Sequence, residues 1–236
     1  LTQHSGKNWL LISLGIAQAV LLLVLLYSIY QVNAGLADLN RTLTLFMQSG
    51  SAGPGNKIKV SLGDELPYMG VKDAKVVMTI LSDFECDYCR EFAQRILPKL
   101  KSEYVDKGKL KIIFKDLPLP MHKNALMAAE AASCAHEQGR FWNMHDYLFA
   151  NQGKFGLEFF TQWAASAQLD TQKYGQCMAE HRYIKPIENS IIEATSAGIQ
   201  GTPAIIVNGQ LTMGTKPYAY FAQLIDSQLD GGVAQR

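Results

Sequence analysis

Apolar positions in this chain fall into three regimes. From Trp9 to Tyr30 they run almost without a break. From Ile29 to Phe46 they recur at steps of three and four, and beyond about residue 58 short apolar blocks alternate with helical spacings. As a helix, the first run of about 22 residues would be about 33 Å long, enough for the hydrocarbon core of a bilayer. Trp9, Tyr27 and Tyr30 sit near its ends, as interfacial aromatics do. Lys7 precedes the run and no Lys or Arg follows until Arg41, a bias that holds the N-terminus in the cytoplasm. The alternative is a cleaved signal sequence. Val32-Asn33-Ala34 offers a small-residue cleavage site, although the apolar run exceeds the usual length of about 7–15 residues. Residues 1–31 are therefore expected to be a membrane anchor or a signal sequence, and either delivers the rest of the chain to a compartment where disulfides persist.

The second regime, Ile29, Val32, Leu36, Leu39, Leu43 and Phe46, has the spacing of a coiled-coil seam. It covers fewer heptads than a persuasive coiled coil needs, and Gly35 weakens the helix. A short self-association stalk giving a homo-oligomer is the hypothesis; a single amphipathic juxtamembrane helix or a fraying tail is the alternative. Ser49-Gly-Ser-Ala-Gly-Pro-Gly-Asn56 reads as a flexible linker, so residues 32–56 form a juxtamembrane helix and linker ahead of a domain at 57–236.

In that domain Ala74–Leu81 is short, β-branched and apolar, and reads as a buried strand. Ser82-Asp83-Phe84-Glu85 follows, and then Cys86-Asp87-Tyr88-Cys89. Phe92, Ile96 and Leu100 next mark one helix face, with Pro98 expected to kink that helix by removing a donor and clashing one turn back. Leu110–Lys115 is a second strand. Two cysteines three apart at a helix start can pass between dithiol and disulfide without moving the backbone. Cys86 sits where the helix macrodipole favours a thiolate, which is the reactive form. Strand, CxxC, helix and strand in this order suit a redox site better than a zinc knuckle. Further on, Gly201-Thr202-Pro203 precedes Ala204–Val207, Asn208-Gly209 and Gln210–Met213, and Asn-Gly between short apolar runs marks a hairpin. A proline opening a strand need not donate to the ladder, and by itself Pro203 reads as an ordinary trans proline in a turn.

A CxxC at a helix start with Thr-Pro opening a later hairpin resembles the thioredoxin fold. More narrowly, the chain resembles the DsbA-like thiol–disulfide oxidoreductases. The matching stretches are Leu81–Arg90, His122–Ala132, Gly139–Asp146 and Gly201–Ala204, within about residues 58–230. The resemblance implies an α/β thioredoxin-like fold with an inserted helical domain at about 121–198, preceded here by the N-terminal transmembrane helix. It implies that Cys86 and Cys89 are catalytic, that Pro203 is cis and packs beside them, and that a membrane redox partner exists. Cysteine-containing unfolded or misfolded proteins would be the substrates. No cofactor or metal is expected.

Cys86, nearest the helix N-terminus, should attack, with Cys89 one turn in as the resolving thiol, through a mixed disulfide. Thr202 and Pro203 would present backbone groups to an extended substrate strand, and Pro203 has no N–H to donate to the nearby sulfur. Asp83, Glu85 and Lys115 are candidates for proton management, because similar proteins use a buried acid beneath the CxxC; solvated loop charge is the preferred alternative. His122, His136, His145 and His181 read as packing or surface residues of the helical domain. None lies inside the CxxC, which removes one means of stabilising the thiolate. Asp87 and Tyr88 should tune the potential. Relatives most often carry proline at the position of Asp87, and a carboxylate beside the sulfur should raise its pKa and weaken the oxidant. Tyr88 and Thr202 resemble isomerase-type relatives, whereas the helical insertion and flanking motifs resemble the oxidases.

Cys134 and Cys177 lie in the helical stretch. Parity and compartment favour a structural disulfide closing a loop of about 44 residues, worth up to about 4 kcal/mol in the chain-entropy model. Two buried free thiols are the alternative; zinc shared with Cys86 and Cys89 is disfavoured because the later cysteines are isolated. A net charge of +1, no basic cluster and no phosphate-cradling glycine loop argue against nucleic-acid and nucleotide partners. Readings from other classes are a soft-metal thiol carrier, which no methionine or histidine cluster accompanies, and an oligomeric chaperone.

Overall fold

The computed structural model describes Gln18, residues 22–33, Leu36 and residues 65–231. The chain divides into two units, Leu1–Asn56 and Lys57–Arg236. In the first, residues 22–33 are helical and expose Leu22, Val24, Leu26, Tyr27, Ile29 and Val32 alike. Among the described residues no helix is long and apolar enough to cross a membrane. Most of the apolar run at 9–30, the seam positions Leu39, Leu43 and Phe46, and the linker Ser49–Asn56 lie outside the described residues.

The second unit is built on a five-stranded sheet. Its strands are β1 (Tyr68–Met69), β2 (Val76–Ser82), β3 (Leu110–Asp116), β4 (Ala204–Val207) and β5 (Gln210–Met213), in spatial order β1-β3-β2-β4-β5. β2 and β3 are parallel, Val76 facing Leu110 and Ser82 facing Asp116, and every other pairing is antiparallel. Because side chains alternate across a strand, Val76, Met78 and Ile80 join one core while Leu81 joins another on the opposite face. Burial on both faces explains why β2 reads as an apolar block rather than an alternating strand.

Helix α1 starts with Asp87–Glu91 and continues through Phe92–Ile96, Leu97–Leu100 and Lys101–Val105. Pro98 does not end it. The turn before the proline widens, the Leu97 N–H reaching back five residues to the Phe92 carbonyl, which accommodates a residue without an N–H. Phe92, Leu97 and Leu100 of α1 and Phe221 and Ile225 of the last helix, α7 (Tyr218–Asp230), cover one face of the sheet. Between β3 and β4 come α2 (Ala125–His136), α3 (Phe141–Ala150), α4 (Leu157–Ser166), α5 (Thr171–Ala179) and α6 (Ile184–Ser196). A disulfide joins Cys134 of α2 to Cys177 of α5, with Cα atoms 5.8 Å apart. The β4–β5 hairpin turns on Asn208 (φ 47°) and Gly209 (φ 90°), the two left-handed positions that an Asn-Gly turn supplies.

Candidate active site

After β2 ends at Ser82 the chain needs only Asp83, Phe84 and Glu85 to enter α1. Phe84 is buried, stacks on Phe114 at 5.3 Å and meets Phe149 at 5.0 Å, so this turn is pinned into the core of the insertion. The Cys86 N–H donates to the Asp83 carbonyl (3.2 Å), and the Cys86 carbonyl accepts the first helical bond from Arg90 N–H (3.0 Å). Gln152, in the turn after α3, braces the loop from the far side: its Nε2 donates to the carbonyls of Phe84 (2.8 Å) and Cys86 (3.1 Å).

Cys86 and Cys89 are both free thiols, 6% and 1% exposed. Cys86 occupies the N-cap of α1. Its thiol is pulled down to about 5, first by the hydrogen bond from the Cys89 side chain, then by Thr202 and the N–H groups of Cys89 and Tyr88, all against the opposing effect of burial. Cys89 moves the other way. Burial raises it well above its ordinary value, and the neighbouring Cys86 sulfur pushes in the same direction. One thiol is thus poised to ionise and its partner to hold a proton.

Thr202–Pro203 is a cis peptide, and the Cys86 Sγ lies 3.5 Å from the Thr202 carbonyl. The Thr202 hydroxyl is buried without a hydrogen-bond partner of its own in this dithiol arrangement, yet it acts on the Cys86 sulfur. Thr215 Oγ1 donates to the Tyr88 carbonyl (2.7 Å), tying the loop before α7 to the start of α1, while the Tyr88 ring is 65% exposed.

Two sequence expectations need correction. Asp87 does not keep the Cys86 thiol high: the net shift is strongly downward, Asp87 is not among its main causes, and the Asp87 carboxylate is solvent-exposed and ion-paired to Arg90 at 2.7 Å. A paired charge in water reaches the sulfur weakly, whereas hydrogen bonds from the helix start act at contact. Nor are Asp83 and Lys115 solvated loop charges. Asp83 is 1% exposed: its Oδ1 accepts the Glu85 N–H (2.7 Å), and its Oδ2 accepts the Leu119 N–H and meets His122 Nδ1 (2.7 and 2.8 Å). Lys115, also buried, pairs with Glu193 of α6 at 2.6 Å. Glu85 is half-buried and accepts from the backbone N–H and side-chain Nδ2 of Asn124.

The structure adds two residues that sequence reading did not bring to the site. Asp116, at the end of β3 opposite Ser82, is pushed up to about 7 by burial and by the charge of Asp83, with Lys115 opposing. His122 leaves the helical-domain role expected of it and joins Asp83. The other three histidines keep theirs. His145 is buried among Phe84, Phe114 and Phe149, His136 bonds the Glu65 carbonyl, and His181 pairs with Glu130. An open cleft of about 460 Å³ beside the CxxC is lined by Glu85, Asp87, Arg90, His122, Lys123 and Asn124, among others.

Comparison with known proteins agrees with this architecture. A thioredoxin family model matches residues 64–227. An Na(+)/H(+) antiporter NhaA 3 of Salinispora tropica is 34% identical over 142 residues, 60% of this chain but only 21% of the antiporter's length, so the chain spans about a fifth of that relative. A probable disulfide bond formation protein D of Bacillus cereus is 28% identical over 152 residues, covering 61% of this chain and 70% of that protein. The crystal structure of Wolbachia pipientis alpha-DsbA1 superposes with a TM-score of 0.67 at 23% identity, over 76% of this chain and 98% of that one. The chain belongs to the thioredoxin family, and its fold, a thioredoxin-like sheet carrying a helical insertion, is similar to that of the Wolbachia protein.

Proposed function

We propose that this chain is a thiol–disulfide oxidoreductase that forms or exchanges disulfides through Cys86 and Cys89. One observation carries the reading: a thiol lowered to about 5 at a helix N-cap sits against a buried thiol raised well above its ordinary value, with a cis Thr202–Pro203 peptide alongside. In the oxidised enzyme a substrate thiolate attacks Cys86 Sγ, the Cys86–Cys89 bond breaks, and Cys89 leaves and takes a proton. A second substrate thiolate then attacks the substrate sulfur of the mixed disulfide and releases Cys86 as a thiolate. The substrate loses two electrons and two protons; the pair gains both electrons and one of the protons. Thr202 and Pro203 would hold the substrate strand, and an electron acceptor, by resemblance a membrane redox partner, would restore the disulfide.

The low Cys86 value supports the oxidase direction over the isomerase one, since a good leaving thiolate makes its disulfide oxidising. Placement outside the cytoplasm rests on the charge bias around the 9–30 run and on the Cys134–Cys177 disulfide; anchoring draws further support from apolar residues exposed along the helix at 22–33. Refolding of reduced and of scrambled RNase tests the function. Wild type should rescue the reduced form, and Cys86→Ala should not. Preferential rescue of scrambled RNase would make it an isomerase, and rescue of neither would remove the redox reading.

A further inference from the structure

The Asp83–His122 pair is unexplained by packing. Asp83 stands three residues before Cys86, and its own carbonyl takes the Cys86 N–H. One tight turn therefore presents both the sulfur and a carboxylate that is almost fully removed from water. Burying such a carboxylate is costly unless it is paired and hydrogen-bonded. Its two N–H donors satisfy part of that demand, and His122 Nδ1 at 2.8 Å completes it. With Nδ1 committed to Asp83, Nε2 is left outside that contact, and His122 lines the same cleft as Glu85 and Asp87, the residues on either side of Cys86.

We propose that His122, held by Asp83, supplies from outside the CxxC the positive charge that stabilises the Cys86 thiolate. The proposal rests on the redox reading of Cys86 and gives it a positioning residue. The charges facing His122 favour the imidazolium. Asp83 and Glu85 come from the turn before α1. From α1 itself come Cys86 and the Asp87–Arg90 ion pair; Lys123 follows on its own loop. Burial of the ring works against protonation, but the Asp83 hydrogen bond and the charges of Asp83, Cys86 and Glu85 outweigh it and raise His122. Interaction between two titrating sites is reciprocal. If the Cys86 thiolate favours protonated His122, protonated His122 must favour the thiolate equally, as an effect smaller than the hydrogen bonds of Cys89, Thr202 and the helix-start N–H groups that lead the thiol's fall. The CxxC contains no histidine, and this arrangement places one beside it through the fold.

His122→Gln keeps a side-chain amide able to donate to Asp83 and removes the charge, whereas His122→Lys returns a charge without the imidazole. Thiolate ultraviolet absorbance followed against pH should show the Cys86 pKa rise by about half to one unit in His122→Gln. The equilibrium with glutathione should move about three- to tenfold toward the protein disulfide, and His122→Lys should recover most of both shifts. A His122→Gln protein that folds and titrates like wild type would overturn the proposal. Because that variant could fail to fold, a second measurement uses the native ring: NMR titration of His122 in the dithiol enzyme and in Cys86→Ser. The imidazole pKa should fall when the thiolate is removed, and an unchanged value would also overturn the proposal. Failure of the redox reading looks different. Wild type would then leave reduced RNase unrescued while His122 and Cys86 still titrated as a coupled pair.

Discussion

The lowered Cys86 thiol makes a quantitative demand on stability. Its pKa is about 5 in the folded dithiol form against an ordinary 9.0. Between those values the native reduced protein binds one proton fewer at this site than its unfolded chain. Its unfolding free energy should therefore rise with pH by about 1.4 kcal/mol per unit. The contribution is complete above the unfolded value and is lost as pH falls through about 5. Cys89 adds almost nothing between pH 6 and pH 8, where burial keeps it protonated in the fold and its ordinary value of 9.0 keeps it largely protonated in the unfolded chain. The oxidised protein has no thiol at either position and no slope from this source. From pH 6 to pH 8 the reduced form should gain about 2.7 kcal/mol on the oxidised form, an upper figure because solvent near the sulfur screens the interaction. Urea unfolding of both forms across that range, read as the difference between them, measures the effect, since groups titrating identically in the two forms cancel. A difference that is flat, or that falls with pH, would refute the reasoning. Compared with the oxidised wild type, Cys86→Ser should lack the slope that Cys86 gives the reduced form.

Two further outcomes follow from named contacts. Thr202→Val removes the hydroxyl that acts on Cys86 at nearly constant shape, and should raise the Cys86 pKa by about one unit or less in the same absorbance titration. Replacing Cys134 and Cys177 together by alanine opens a link across 43 residues and should cost up to about 4 kcal/mol in urea unfolding, while the Cys86 titration stays in place because the bond joins α2 to α5 rather than to the CxxC turn.

The sites where sequence reading and structure part company are all polar. The expected strands at 74–81 and 110–115 appear as Val76–Ser82 and Leu110–Asp116, and the Asn-Gly hairpin has the expected bounds. Those features depend on local apolar blocks and turn chemistry. The environment of Asp83 depends on Leu119 and His122, which lie 36 and 39 residues away, so nothing near Asp83 in the chain announces that it is desolvated. Gln152 reaches the Cys86 carbonyl across 66 residues, and Lys115 finds Glu193 across 78. Asp87 shows the converse. Its charge is plain in the sequence, but its pairing with Arg90 one turn on and its exposure depend on the helix that carries it. At Pro98 the helix α1 continues, the preceding turn widening to hold the proline.

The chain by itself determined where thiol chemistry could occur. A cysteine pair directly after a buried apolar strand must sit at a strand-to-helix turn, where helix-start N–H groups favour a thiolate, and this follows from sequential neighbours alone. Only the tertiary structure decided how that chemistry is biased. It set Thr202 and a cis Pro203 beside Cys86, buried Cys89, and brought Asp83, Asp116 and His122 together around the turn. The physical reason is that a thiol's acidity depends on desolvation and on charges within a few ångströms, and in a folded chain those neighbours come from tens of residues away.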